Sequence, residues 1–206
     1  MAKSTNPAHV VTNKVRFGFN SLLTPSLRKD AAPGEEARYS ATIMIPKTDT
    51  ATKARIDRAI DAAIKRGEET GALKGVPHDK VKTPLYDGDG FRADGYTPFG
   101  PECKGCWVMT ASCKPDRNKP QVVDVANNPI IDPTEVYAGM YGQLSFDFFP
   151  YNSGSNKGIG ASLVNAKKLG DGEPIGPARP SADDDFGTSD DDIGNTAYGQ
   201  AFDPLS

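Results

Sequence analysis

The sequence predicts a mainly β protein: an antiparallel β-barrel with one amphipathic α-helix and an acidic C-terminal segment. Several segments alternate apolar and polar residues at period two, whereas only one shows the helical period. The 206 residues include 21 glycines and 17 prolines, which implies many turns and argues against a helical bundle. We expect a closed or partly open barrel because closure removes exposed strand edges.

The longest alternating segment is EVYAGMYGQLSFDFFPY, residues 135–151. Its apolar face holds Met140, Gly142, Leu144, Phe146 and Phe148. This pattern predicts a long half-buried strand that ends at Pro150. The opposite face carries Tyr137, Tyr141 and Phe149, which either pack across strands or form a platform for flat ligands.

Two earlier segments, 14–23 and 38–45, predict an antiparallel pair of strands with one buried and one basic face. Val15, Phe17 and Phe19 share the buried face of the first strand. Residues 50–69 then show the helical spacing, which predicts an amphipathic helix that closes one end of the sheet. Its apolar stripe is Ile56, Ala59, Ile60, Ala63 and Ile64.

The later part of the chain predicts a long loop followed by the remaining strands. Residues 74–105 lack periodicity, and they interleave aromatic with basic side chains, which is typical of a binding loop. Alternation returns at 106–113, 121–126 and 157–168, and these segments predict three further strands.

Charge is distributed unevenly along the sequence. The net charge is −3, yet seven of the 27 acidic residues follow Pro180, which leaves 20 acidic against 24 basic residues before it. We therefore predict a flexible N-terminus over 1–12, a folded domain over 13–170 and a disordered acidic tail over 171–206. Such a tail is expected to compete with the ligand of a basic body.

Enzymatic, metal and membrane functions find little support. Cys103, Cys106 and Cys113 lack the second pair that a structural zinc site needs, so they are interpreted as reduced thiols of a cytoplasmic protein. The chain contains no H-E-x-x-H, G-x-S-x-G or Walker motif. No apolar run approaches the roughly 20 residues of a membrane span. We predict no catalytic residues, cofactor or metal.

Binding of single-stranded nucleic acid fits better, because it needs a basic groove and aromatic faces for stacking. The candidate DNA-binding residues are Arg16, Arg38, Lys47, Tyr86, Arg92, Tyr96, Phe99, Lys104, Trp107, Lys114, Tyr137 and Tyr141. One alternative is a virion or assembly β-domain whose aromatic residues contact another subunit without binding nucleic acid. Another is a metal-dependent nuclease. The oligomeric state stays open.

The order of these segments resembles the single-stranded DNA-binding proteins of tailed bacteriophages. The resemblance rests on NKVRFGFNSLL, RYSATIMIPK, PLYDGDG, GCWVMTASCKP and NPIIDPTEVYAGMYGQLSFDFFPYNSGSNKGIGASLVNAKKLGDGEPIG, followed by the Asp-rich end. It covers essentially residue 14 to the C-terminus.

The resemblance implies an OB-fold that coats single-stranded DNA in replication, recombination and repair, in the cytoplasm of an infected bacterium. It also implies a tail that mimics DNA and recruits phage or host replication and recombination proteins. The tail residues it suggests are Asp183, Asp184, Asp185, Asp190, Asp191, Asp192 and Phe202. Unlike the family pattern, this sequence has no terminal aromatic residue, which argues against docking to a host-type tail pocket.

Overall fold

The computed structural model describes residues 6–28, 31, 33–116, 119–154 and 156–176. The chain divides into two compact units, residues 1–175 and residues 176–206. The acidic segment predicted to be disordered therefore falls, from residue 177 onward, outside the described residues. Within the described residues, none of the helices is both long and apolar enough to cross a membrane.

The described residues of the first unit form eight strands and one α-helix, so the mainly β class is confirmed. The helix α1 is Thr50–Glu69, and the strands are β1 His9–Val11, β2 Val15–Ser26, β3 Arg38–Pro46, β4 Leu85–Asp87, β5 Cys106–Cys113, β6 Gln121–Val123, β7 Tyr141–Ser153 and β8 Asn156–Gly170. They form one sheet in the order β4-β5-β3-β2-β7-β8-β6, and β1 pairs with β7. The Ile159 N–H donates to the Lys82 carbonyl at 2.8 Å, which ties β8 to the segment before β4.

The structure corrects two expectations about the strands. Residues 6–12, predicted to be flexible, include β1, whose Val10 is buried opposite Phe146 of β7. The sheet is not entirely antiparallel, because β6 runs parallel to β8. The long connection from β6 to β7 lets β6 take the outer edge of β8 instead of forming a hairpin with β7.

Helix α1 begins and ends at the predicted residues. The Asp49 carboxylate accepts the Thr52 N–H at 3.0 Å and caps the first turn. The predicted apolar stripe is buried against the same core as the inner faces of the strands. That core contains Phe17, Ile43, Met109 and Phe146, each with no exposed surface.

Strand β7 buries the predicted face but continues beyond Pro150. The Phe148 N–H donates to the Ala8 carbonyl on the β1 side. Because alternate residues of a strand direct their N–H groups to the same side, the nitrogen of Pro150 points to that side too, beyond the end of β1. The missing N–H therefore removes no hydrogen bond from the β7–β8 ladder, so the strand tolerates the proline.

Candidate nucleic-acid interface

A concave groove lies on the outer face of β2, β3, β5 and β4, on the side of the sheet away from the main core. Cross-strand pairing places Met44 beside Val108 and Val108 beside Tyr86. In the next row the hydroxyls of Thr42 and Thr110 hydrogen-bond at 2.8 Å. The cavity has a volume of about 250 Å³. Its floor is therefore mostly apolar, with one hydroxyl pair.

Phe19 stands at this groove because β2 contains a bulge. Phe17 pairs with Ile43 and Asn20 with Ala41, so β2 has one residue more than β3 between these pairs. A single extra residue moves the following side chains to the opposite face. The prediction that Phe19 is buried is therefore wrong: its side chain is 69% exposed and lines the cavity.

Two aromatic rings and an arginine form one wall of the groove. The ring centroids of Tyr86 and Phe99 lie 6.3 Å apart with an interplanar angle of 49°. The Arg92 guanidinium carbon lies 5.5 Å from the centroid of Phe99. Burial, and secondarily Tyr151, raise the pKa of Tyr86, so its phenol stays neutral and keeps its proton at physiological pH.

A second, polar cleft continues from the groove through Thr110. Its volume is about 610 Å³, and it is lined by serines of β3 and β5 together with Arg28, Arg38, Tyr151 and Asn156. Arg28 forms an ion pair with Glu35 at 2.7 Å. The groove and the polar cleft thus follow one face of the sheet, first apolar and then hydroxyl-rich and basic.

Lys47 and Trp107, both predicted to bind DNA, lie elsewhere. Lys47 Nζ contacts Asp87 at 2.6 Å and Asp89 at 2.7 Å. These hydrogen bonds raise the pKa of Lys47 and lower the pKa values of the two carboxyls, so the lysine charge is already compensated. Trp107 packs against the main core, and Lys53 Nζ lies 4.8 Å from its ring centroid.

Tyr137, Tyr141 and Arg16 surround a segment that we call the strap, residues 171–175. The Tyr137 hydroxyl donates to Asp171 at 3.0 Å, and Arg16 Nη2 donates to the Glu173 carbonyl at 2.7 Å. Lys14 Nζ lies over the Tyr141 ring, 4.5 Å from the ring centroid. These three predicted residues therefore meet the protein's own backbone and side chains beside the groove.

The strap ends inside the groove. The Ile175 N–H donates to the Ala138 carbonyl at 2.8 Å. Its side chain packs on the small apolar cluster of Met44, Cys103 and Val108 that forms the groove floor. Gly139 permits this close approach, since a Cβ there would collide with the Glu173 carbonyl oxygen. In this structure the strap therefore fills part of the apolar floor.

The remaining predicted residues are dispersed. Lys114 pairs with Glu36 at 2.8 Å, whereas Lys104 is exposed. Tyr96 is 77% exposed on a short hairpin beside the groove. The structure thus brings together Tyr86, Arg92 and Phe99, with Arg38 in the adjoining cleft.

Sequence reasoning missed several residues of this surface: Phe19, Arg28, Met44, Tyr151 and Ile175. A bulge gives no clear signal in a single sequence, so Phe19 could not be found. Met44 lies on the predicted outer face of a strand, and that position was the available signal. Tyr151 follows Pro150, where the strand was predicted to end, so no face was predicted for it. Ile175 followed the last predicted strand and was therefore assigned to the tail.

The three cysteines do not form a metal site. Burial is the main cause that raises the pKa of the Cys103 thiol, to about 11, which disfavours the thiolate that a metal would require. Across the described ranges, no three His, Cys, Asp or Glu side chains come together as metal ligands would. The groove instead offers flat apolar surfaces, with Arg92 and Glu102 as its charged lining residues and Arg38 in the adjoining cleft. Such surfaces can hold aromatic groups, and the two arginines can meet the anionic links between them.

Comparison with known proteins is consistent with that chemistry. A family model described as the single-stranded DNA-binding protein of Enterobacter phage Enc34 matches residues 8–195. The structure of the bacteriophage Enc34 single-stranded DNA-binding protein in complex with single-stranded DNA is 29% identical, with a TM-score of 0.66. That alignment covers 85% of this chain and 97% of the Enc34 chain. No curated protein matches significantly.

Two further solved structures resemble this chain. A second structure of the single-stranded DNA-binding protein from bacteriophage Enc34 is 28% identical in sequence, with a TM-score of 0.64. The alignment covers 90% of this chain and 97% of the Enc34 chain. The protein gp2.5 of bacteriophage T7, a single-stranded DNA-binding protein, is 14% identical over 84% of this chain and 97% of its own. Its TM-score of 0.52 supports a shared fold. These neighbours are OB-fold-like, as the resemblance implied.

Proposed function

The chain belongs to the family of the phage Enc34 single-stranded DNA-binding protein, and we propose that it holds single-stranded DNA in the groove and the polar cleft. The family is a class of binding proteins, which agrees with the prediction that the chain is not an enzyme. Membership also decides against the assembly-protein and nuclease alternatives.

The main support for the proposed site is the groove wall that Tyr86, Phe99 and Arg92 form. Bases stack on aromatic rings with little dependence on sequence, because every base has a π face. Arg92 adds a cation beside one of the rings and lies where the phosphate linkage of a stacked base can be reached. We therefore assign stacking to Tyr86 and Phe99 and phosphate binding to Arg92.

The polar cleft extends this path. Thr110 lines both cavities, so a strand leaving the groove meets hydroxyl groups next and then Arg38, whereas Arg28 is paired with Glu35. Hydroxyl and guanidinium groups suit the sugar–phosphate backbone, whereas the apolar floor suits bases. We therefore expect the bases to stack in the groove. The phosphate charges should be neutralised mainly at the margin of the groove and in the cleft.

Salt dependence tests this division. If about 3–5 phosphates are neutralised, the logarithm of the binding constant should fall with the logarithm of salt concentration with a slope of about −2 to −3.5. Arg92→Met should weaken binding and make the slope shallower by about 0.7, the share of one phosphate. The measurement is fluorescence anisotropy of labelled oligo-dT across a salt series.

The matched control is Lys65→Met, because Lys65 is exposed on α1, which packs on the main core and not on the groove face of the sheet. This variant should keep the wild-type slope. A flat salt response of the wild-type protein would contradict phosphate neutralisation. Equal changes in the two variants would contradict the assignment of phosphate binding to Arg92 in particular.

We further propose that the strap and the acidic tail compete with DNA for the groove. Ile175 lies on the apolar floor, and Arg16 already donates to the strap carbonyl of Glu173. The tail that follows in sequence carries seven aspartates and no lysine or arginine after Pro180. An anionic segment joined to a DNA-binding domain resembles the ligand electrostatically.

Ile175→Ser provides a test that leaves the tail charge unchanged. The variant should bind oligo-dT about three- to tenfold more tightly, because losing one partly buried aliphatic contact of about 1 kcal/mol weakens the competing strap. The measurement is an anisotropy titration at fixed salt, and the control is Ile131→Ser, whose side chain is 85% exposed outside the groove. Weaker binding by Ile175→Ser would instead make Ile175 part of the DNA-binding floor.

The biological setting follows from the same proposal. A protein that coats single strands acts in phage replication, recombination and repair, which occur in the cytoplasm of the infected bacterium. When DNA occupies the groove, the tail is released, and Phe202 with the aspartate clusters becomes available to phage or host replication and recombination proteins. Affinity capture on the isolated tail peptide, compared with its all-asparagine version, tests this role.

A further inference from the structure

A short hairpin, residues 91–98, stands beside the groove, and we call it the finger. Phe91 bridges Pro98, and the Arg92 N–H donates to the Thr97 carbonyl at 2.8 Å. The Asp94 carboxylate accepts the Tyr96 and Thr97 N–H groups at 3.0 and 2.9 Å. The finger is therefore an ordered two-stranded turn with its own hydrogen bonds.

The base of the finger is fixed to the sheet. Lys47 joins Asp87 and Asp89, and Asp89 also accepts the Gly105 N–H at 3.0 Å. The Gly88 N–H donates to the Cys106 carbonyl of β5 at 2.9 Å. Lys47 thus connects the end of β3 to the base of the finger, so the finger is anchored to the sheet that carries the groove.

The two sides of the finger differ. Arg92 and Ala93 line the groove, whereas the Phe91 side chain is 57% exposed and that of Tyr96 is 77% exposed. Two exposed rings on one anchored hairpin present apolar surface that a partner can cover. The partner should be flat and apolar, and it should lie where a strand leaves the groove past Arg92.

We propose that Phe91 and Tyr96 stack on the last base pair of a duplex, so that the finger recognises the junction between single- and double-stranded DNA. The proposal rests on the proposed function, because it takes the single strand to lie in the groove. An exposed terminal base pair presents a flat aromatic face without phosphates. That face suits this finger, whose Arg92 and Asp94 charges cancel. An anchored hairpin loses little conformational entropy on stacking.

The test compares labelled oligo-dT alone with the same oligo-dT carried as a tail, of either polarity, on a stable DNA hairpin. The wild-type protein should bind a junction of one polarity about tenfold more tightly than the tail alone, the gain expected from one stack. The double variant Phe91→Ala, Tyr96→Ala should lose this preference. The single variant Phe91→Ala should lose most of it and keep wild-type affinity for the tail alone.

Two further variants sharpen the result. Asp94→Ala removes the cap of the turn but leaves both rings, and it should reduce the junction preference partially. Ile131→Ala removes exposed apolar surface elsewhere and should change nothing. Unchanged thermal midpoints show that each variant is folded.

Each contrary outcome is distinct. Equal loss on the tail and the junction would mean that the finger stacks on unpaired bases, and the junction proposal would be wrong. If the double variant bound both DNAs with wild-type affinity, the two rings would not contact DNA, and the junction proposal would also be wrong. Failure of the wild-type protein to bind oligo-dT at all would instead reject the proposed function.

Discussion

The double variant Tyr86→Ala, Phe99→Ala is expected to bind single-stranded DNA at least about 30-fold more weakly than the wild-type protein. Each base–aromatic stack contributes about 1–3 kcal/mol, and a loss of 2 kcal/mol is already about 30-fold. The two rings lie 6.3 Å apart, which places them within reach of neighbouring bases of one strand. The measurement is an anisotropy titration with labelled oligo-dT at moderate salt.

Trp107→Phe is the matched control, because Trp107 is partly buried and packs against the main core on the other side of β5. It should leave DNA affinity within about twofold of wild type. Phe99 packs on the cluster of Met44, Cys103 and Val108, so thermal melting of every variant must accompany the titrations. A folded double variant with wild-type affinity would refute stacking in the groove.

Removal of the acidic tail is expected to tighten DNA binding strongly at low salt. If the tail occupies the groove nine-tenths of the time, a chain ending at Gly176 should bind about tenfold more tightly. The gain should disappear as salt rises, because screening weakens contacts between exposed charges. Oligo-dT titrations of the full-length and truncated chains at several salt concentrations provide the measurement.

A full-length variant in which asparagine replaces the six clustered aspartates tests whether the tail competes with DNA through its charge or through the length of its chain. The replaced residues are Asp183, Asp184, Asp185, Asp190, Asp191 and Asp192. This variant should behave like the truncated chain if competition is electrostatic. Identical affinities of the wild-type, truncated and asparagine proteins would contradict competition by the tail, although the Ile175 prediction would still stand on its own.

Regular elements with long periodic patterns were predictable. Helix α1 begins at Thr50 and ends at Glu69 as the spacing of its isoleucines and alanines predicts. The apolar face of β7 is buried as the alternation from Met140 to Phe148 predicts. The short strands β1 and β4 were not predicted, because three residues carry too little periodicity to separate a strand from a loop. The equally short β6 was predicted, within the segment 121–126.

The candidate site was predictable in part. Tyr86, Arg92 and Phe99 came from one loop in which aromatic and basic residues alternate, and that local pattern was sufficient. Lys47 fits the same basic pattern, yet Asp87 and Asp89 neutralise it from a segment some 40 residues away. A single sequence without an alignment cannot indicate such a partner. The same holds for Trp107, whose burial depends on Lys53 and the core.

By itself the sequence determined the fold class, the helix, most of the strands and the opposition of a basic body to an acidic tail, because period and charge are local properties. Only the tertiary structure decided which side chains share a surface. A one-residue bulge turned Phe19 outward, and the strap carried Ile175 back onto Met44. Both depend on how distant segments pair, since strand register and long-range packing are set by the whole fold.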